Sequence, residues 1–196
     1  ADIVVNQQQD GIQTKNRYEE EKRLPRKEDV IYFPDGPQIG IKGLDYYPTY
    51  LTVEEQQRVM EIIDGNPWFT EIRRRQQHYG YVYYHTRHNL PLVQPSEQQS
   101  DRVLPLNAFD FIIQRMIKDG IFPENDPPTQ CLVNEYLENT RIASHVDNAK
   151  AFGDTIAGIS LVSPCYMTLR LVENTNIETK FLMECGSLYV MKDDAR

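Results

Sequence analysis

The chain has few cysteines, one tryptophan, no long apolar run and no excess of positive charge. Its three cysteines, Cys131, Cys165 and Cys185, lie far apart in 196 residues and form no C-x-x-C pair. That excludes a disulfide scaffold and a thiolate zinc site, and it fits a reducing compartment. Each cysteine sits in an apolar run, so each is expected to be a small buried side chain. No apolar stretch approaches the roughly 20 residues of a membrane span. No charged start followed by an apolar run marks a secretory leader. No membrane partner is therefore expected, and a cytoplasmic or nuclear location is. With 21 Lys and Arg against 29 Asp and Glu, the formal net charge is −8. A protein that coats duplex phosphates is usually basic, so contact with nucleic acid is confined to a local patch, as for a flipped or single-stranded base.

The sequence does hold an ordered change of texture. Residues 1–30 are polar and charged, with Gln7-Gln8-Gln9 and Glu19-Glu20-Glu21-Lys22-Arg23, and read as an extension that packs weakly or wraps as an arm. Residues 31–196 read as one domain of a size that supports a core. Within it, Ile39–Ile41 and Leu44–Tyr47 are expected as short strands around Gly43. Thr52 and Glu55 form a T-x-x-E capping box that starts a helix. Val53, Val59, Met60 and Ile63 give its apolar face, and Gly65 and Pro67 end it. A second helix is expected from about Leu106 to Lys118, with Phe109, Ile112, Ile113 and Met116 on one side and Gly120 closing it. After Pro127-Pro128 come five short strands: Cys131–Tyr136, Thr155–Leu161, Tyr166–Val172, Lys180–Met183 and Ser187–Met191. Helices first and strands later predict an α+β fold whose β part is an antiparallel barrel or jelly roll.

Two patterns carry chemistry. His145-Val146-Asp147 places an imidazole and a carboxylate one residue apart, on one face if the segment is extended. Such a pair supplies two corners of a 2-His-1-carboxylate site for Fe(II), although a hydrogen-bonded surface His–Asp pair reads the same in sequence. Upstream, Asn134 and Tyr136 share one face of an expected strand, where an amide and a phenol suit the carboxylates of a small diacid. A strand with one solvated face is the alternative. The run Arg73-Arg74-Arg75-Gln76-Gln77-His78-Tyr79-Gly80-Tyr81 combines cations for phosphates with rings for stacking, or else is a solvated strand edge with a buried tyrosine.

Taken together, these runs resemble the AlkB family of Fe(II)/2-oxoglutarate dioxygenases. The resemblance rests on Val133-Asn134-Glu135-Tyr136-Leu137, Ile142, His145, Asp147, Phe152-Gly153-Asp154-Thr155-Ile156 and Ser160-Leu161. Upstream it continues through Gly43-Leu44, Tyr46, Leu51-Thr52, Glu54-Glu55, Asn66-Pro67-Trp68, Arg74-Arg75 and His78-Tyr79-Gly80-Tyr81. It covers roughly residues 40–196 and is greatest to the subgroup that modifies the wobble uridine of tRNA and to related bacterial proteins. It implies a double-stranded β-helix (jelly roll) with supporting N-terminal helices, holding Fe(II) and 2-oxoglutarate. His145 and Asp147 match the first two iron ligands, and Asn134 and Tyr136 match positions that bond 2-oxoglutarate. The segment Tyr79-Gly80-Tyr81 matches the lid over the substrate base. Arg73, Arg74, Arg75, His78, Tyr79 and Tyr81 are the substrate-binding candidates.

The sequence departs from the family pattern in two places. Asn139-Thr140-Arg141 stands where a glycine-containing turn usually precedes the first ligand. The resemblance places the second iron histidine and the two arginines that hold 2-oxoglutarate beyond Arg196, and none of His78, His85 and His88 matches that ligand. The chain is accordingly expected to be part of a longer protein, with an inactive truncated form as the alternative. The implied reaction is oxidative demethylation or hydroxylation of a modified or methylated base in nucleic acid, RNA or tRNA favoured. A related oxygenase acting on protein or a small molecule, or a non-catalytic binding module of the same fold, remain as rivals. The sequence identifies no protein partner.

Overall fold

A computed structural model describes the backbone of residues 2–6 and residues 41–70, 74–81, 103–137, 140–148 and 151–196. Eight strands fall in these residues: β1 (Asp2–Asn6), β2 (Leu44–Tyr47), β3 (Gln76–Tyr79), β4 (Cys131–Tyr136), β5 (Ile156–Leu161), β6 (Cys165–Arg170), β7 (Glu178–Met183) and β8 (Leu188–Met191). The helices are α1 (Val53–Asp64) and α2 (Asp110–Lys118), the latter entered through one 3-10 turn at Leu106–Phe109.

The helices form where local signals put them. Thr52 Oγ1 accepts from the Glu55 N–H at 3.2 Å, and Glu55 returns the bond to the Thr52 N–H at 3.0 Å. Both orphan donors of the first turn are thereby satisfied. Gly65 caps the other end of α1, and its N–H reaches the Glu61 carbonyl. Val59 and Ile63 are buried, but Val53, expected on the same apolar face, is 64% exposed because it opens the first turn before the helix reaches the sheet. On α2, Ile112, Ile113 and Met116 are buried, as is Phe109 just before it.

Six strands form one sheet in the order β2-β8-β5-β1-β4-β3, and β6 pairs with β7 as a separate antiparallel hairpin. Strand periodicity gives the large sheet two different faces. Val133, Ala157, Ile159, Leu161, Leu188 and Val190 pack with Val59, Ile63, Ile112 and Met116 of the helices. On the opposite face, Leu44, Tyr46 and Tyr189 pack with Phe181 and Met183 of β7, and Cys165, Met167 and Leu169 of β6 lie against them. A Cβ at Gly158 would overlap the Tyr189 phenol ring, so only glycine lets that ring lie flat on β5.

Several expectations change. Residues 2–6 are a central strand rather than a loose extension: β1 runs parallel to both neighbours, with Val4 paired to Asn134 on one side and Ser160 on the other. The β-branched run Ile3-Val4-Val5 has the propensity for this, but its partners lie more than 120 residues away. The sheet is therefore mixed, not purely antiparallel. The strand expected to reach Val172 ends at Arg170, and Val172 is 72% exposed in the turn to β7. Of the cysteines, all free, Cys131 is buried while Cys165 and Cys185 are partly exposed. Ile39, Gly40, the rest of residues 7–40, Arg73, His85 and His88 lie outside the described residues. Among the described residues, no helix is long and apolar enough to cross a membrane.

Candidate active site

Pairing of β3 with β4 divides the expected substrate patch between two faces. The register sets Gln76 opposite Asn134, Gln77 opposite Val133, His78 opposite Leu132 and Tyr79 opposite Cys131. Because Val133 and Cys131 face the helices, Gln77 and Tyr79 do too. The Tyr79 ring is fully buried, meets Phe109 edge-on at 4.7 Å between centroids, and donates its hydroxyl to Gln77 Oε1 at 2.8 Å. Burial pushes its phenol well above the ordinary range. A ring so enclosed has no face for a base, so Tyr79 is a core residue rather than a lid residue. Arg75 grips Glu135 with two guanidinium nitrogens and lies over Trp68 at 4.5 Å. That guanidinium is engaged in holding a carboxylate that is only 3% exposed. Tyr81 follows Gly80, whose φ of +82° turns the chain out of β3. Tyr81 is partly exposed, and its carbonyl accepts from Gln130 Nε2.

The other face of β3 and β4 carries Arg74, Gln76, His78, Asn134 and Tyr136. Asn134 and Gln76 are both buried. Asn134 Oδ1 accepts from Gln76 Nε2 at 2.6 Å and from Arg74 Nε at 3.0 Å. The Arg74 guanidinium stands 5.9 Å from the Tyr136 ring centroid. His78 is buried beside Phe69, with ring centroids 5.8 Å apart.

His145 and Asp147 lie in an irregular segment, not on a strand, yet their side chains converge: His145 Nε2 is 3.4 Å from Asp147 Oδ1. His145 Nδ1 is 2.8 Å from the Ala143 carbonyl. A carbonyl only accepts, so Nδ1 carries a proton, and Nε2 facing the carboxylate is the nitrogen that would take a metal once it gives up its own proton. The Asp147 carboxylate raises the His145 pKa above the ordinary imidazole range, while the Arg74 guanidinium opposes this by its charge. Arg74 itself bonds Asn134. Arg170 of β6 ties the same segment to the hairpin by donating to Ser144 Oγ at 2.6 Å.

The donor chemistry fits Fe(II). An imidazole nitrogen and a carboxylate oxygen stand together, and the other imidazole nitrogen is fixed by a backbone carbonyl. Among the described residues no group of three or more His, Cys, Asp and Glu forms a complete metal site, so this segment supplies two donors. A concavity of about 600 Å³ beyond the end of α2, lined by Ile117, Phe122 and Lys192 among others, shares no residue with this cluster. Sequence reasoning missed Gln76, Ser144 and Arg170. Gln76 is linked to the site only by cross-strand register, which the sequence does not display.

Residues 43–196 match the family described as the 2OG-Fe(II) oxygenase superfamily. The chain is 30% identical over 139 residues to the "Alkylated DNA repair protein ALKBH8 homolog" of Arabidopsis thaliana, covering 68% of this chain and 38% of that protein. It is 24% identical over 170 residues to the "tRNA (carboxymethyluridine(34)-5-O)-methyltransferase ALKBH8" of Macaca fascicularis, covering 82% of this chain and 24% of that one. To the mitochondrial "Alpha-ketoglutarate-dependent dioxygenase alkB homolog 7" of Mus musculus it is 33% identical over 90 residues, covering 46% of this chain and 41% of that one. The chain thus spans between about a quarter and two fifths of the length of these three relatives. It belongs to the 2OG-Fe(II) oxygenase superfamily, a family of dioxygenases that use Fe(II) and 2-oxoglutarate, and the relatives named here are AlkB-type proteins.

Proposed function

We propose that the chain is the oxygenase part of an AlkB-type enzyme that oxidises a modified or methylated base in RNA, tRNA favoured. The observation that carries this reading is the convergence of the His145 imidazole and the Asp147 carboxylate. The two are 3.4 Å apart, and on β4 Asn134 and Tyr136 share a strand face beside Arg74. His145 Nε2 and Asp147 hold Fe(II), with a third donor from a residue outside those described. Asn134 and Tyr136 bond 2-oxoglutarate. When bound, iron and 2-oxoglutarate would supply oxidation of a C–H bond by O2, one oxygen atom going to the substrate and the other to the succinate formed as 2-oxoglutarate loses CO2. The protein's part is to hold the acid, orient the base and keep water from the reacting carbon. The fold is a double-stranded β-helix in which the β6–β7 hairpin forms part of the second sheet, with the site between the sheets.

The tRNA in the printed name of the Macaca fascicularis relative motivates the tRNA substrate, while the Arabidopsis thaliana relative is named for repair of alkylated DNA. The methyltransferase in one printed name belongs to a protein of which this chain spans a quarter, and methyl transfer is not carried over. Arg73, Arg74 and Tyr81 remain the candidates to contact RNA, whereas His78, expected with them, is buried beside Phe69. A second reading has its own support: with Tyr79 in the core, Arg75 engaged by Glu135 and a net charge of −8, a protein or small-molecule substrate also suits the surface. Incubating the full-length protein with Fe(II), 2-oxoglutarate, oxygen and tRNA, followed by mass analysis of the nucleosides, decides between them. Loss of a methyl group or gain of one oxygen on a base, absent with Asp147→Ala, is expected. Succinate formed with no change in any nucleoside would favour the second reading.

A further inference from the structure

The orientation of the Asn134 side-chain amide can be read from its neighbours. Arg74 Nε is a donor with no acceptor capacity, and it lies 3.0 Å from the Asn134 amide. The atom it meets must be the oxygen, Oδ1. Gln76 Nε2 donates to the same oxygen at 2.6 Å. With both bonds on Oδ1, the amide is turned so that its Nδ2 donors point the other way. Gln76 and Asn134 are both buried, at 5% and 6% exposure, and directly opposed across β3 and β4. Neither side chain can exchange this bond for water without leaving the sheet.

We propose that Gln76 is a positioning residue that, with Arg74, locks the Asn134 amide so that its donor side faces the bound acid. This deepens the reading of the preceding subsection and rests on it, because it takes 2-oxoglutarate as the acid. An unrestrained asparagine can present either its oxygen or its NH2 group to a carboxylate, and only the NH2 group is attractive. Two donors on the oxygen remove the wrong orientation before the acid arrives. Arg74 alone would fix the oxygen incompletely, being partly exposed, whereas Gln76 is held in the strand.

A double-mutant cycle tests this in the full-length protein. Affinity for 2-oxoglutarate is measured by calorimetry in the presence of Mn(II) without oxygen, with thermal unfolding as a parallel readout. Gln76→Met keeps length and apolar volume but removes the donor. If Gln76 acts through Asn134, Gln76→Met weakens 2-oxoglutarate binding about tenfold, the worth of a hydrogen bond to a charged group. The same substitution made on an Asn134→Ala background should then change affinity by less than about twofold. An equal loss in both backgrounds, or none in either, overturns the proposal. Should a variant fail to fold, the side-chain amide signals of Asn134 in the unaltered protein decide by nuclear magnetic resonance. They must shift as 2-oxoglutarate is added, and unmoved signals overturn the proposal. If the unaltered protein binds no 2-oxoglutarate at all, the preceding reading fails first and takes this one with it.

Discussion

Arg74 and Arg75 are neighbours in sequence with opposite tasks. Arg75 turns toward the helices, where it holds the buried Glu135 and covers Trp68. Arg74 turns toward Asn134 and stands by the Tyr136 ring. Arg75→Met strands the Glu135 carboxylate. It should destabilise the protein by roughly 2 kcal/mol in urea denaturation, less than for a fully buried pair because Arg75 is 38% exposed. Arg74→Met should leave the unfolding midpoint nearly unchanged and weaken 2-oxoglutarate binding instead. The reverse pattern would show that the two faces have been assigned the wrong way round. Residue types, spacings and the His145–Asp147 pair were legible in sequence, because chemistry is carried by the side chains themselves. Which side of β3 each residue occupies was not. A register fixed by pairing with β4, some 55 residues later, sends Tyr79 into the core and leaves Gln76 beside Asn134.

At the scale of the element, α1 shows how far local rules reach. The capping box at Thr52 and Glu55 is present as its spacing implies, because both partners lie within one turn. Thr52→Ala should cost about 1 kcal/mol in stability, read by chemical denaturation. Glu55 has a second task that no local rule announces: it also pairs with Arg115 of α2 and so ties the two helices together. The hydrogen bond from Arg115 holds the Glu55 carboxyl below its usual range. A folded pKa below the unfolded one contributes stability above the unfolded value, about 4.3, and loses it as pH falls through the folded value. Arg115→Met should therefore lower stability near neutral pH and reduce the further loss on acidification below about 4. Parallel stability–pH curves for the two proteins would contradict this coupling. The irregular segment 140–148 is the opposite case. An extended strand was expected to align His145 with Asp147, yet the alignment is made by the Ala143 carbonyl and by Arg170 holding Ser144.

Across the whole molecule, the large sheet separates a helix-covered apolar face from a face that carries the polar site. The helix-then-strand order made an α+β arrangement legible, and β4 runs over the very residues its apolar pattern marked. The central place of β1 was not legible, since a short polar-flanked strand gives no sign of which distant edges it joins. Contact between the large sheet and the β6–β7 hairpin depends on Tyr189 lying over Gly158. Gly158→Ala should cost about 1–3 kcal/mol by overpacking, read from the denaturant midpoint, because the ring must move toward the hairpin. A neutral effect would mean that the two sheets pack more loosely than described. In the proposed reading, this structure carries the His145–Asp147 pair and the Asn134–Tyr136 strand face. The direct test is succinate formation from 2-oxoglutarate by the full-length protein under oxygen, with and without Fe(II), beside the Asp147→Ala variant. Iron-dependent succinate that falls at least about 100-fold in the variant is expected. Iron-dependent succinate formed equally well without the Asp147 carboxylate would contradict the placement of the metal at this site.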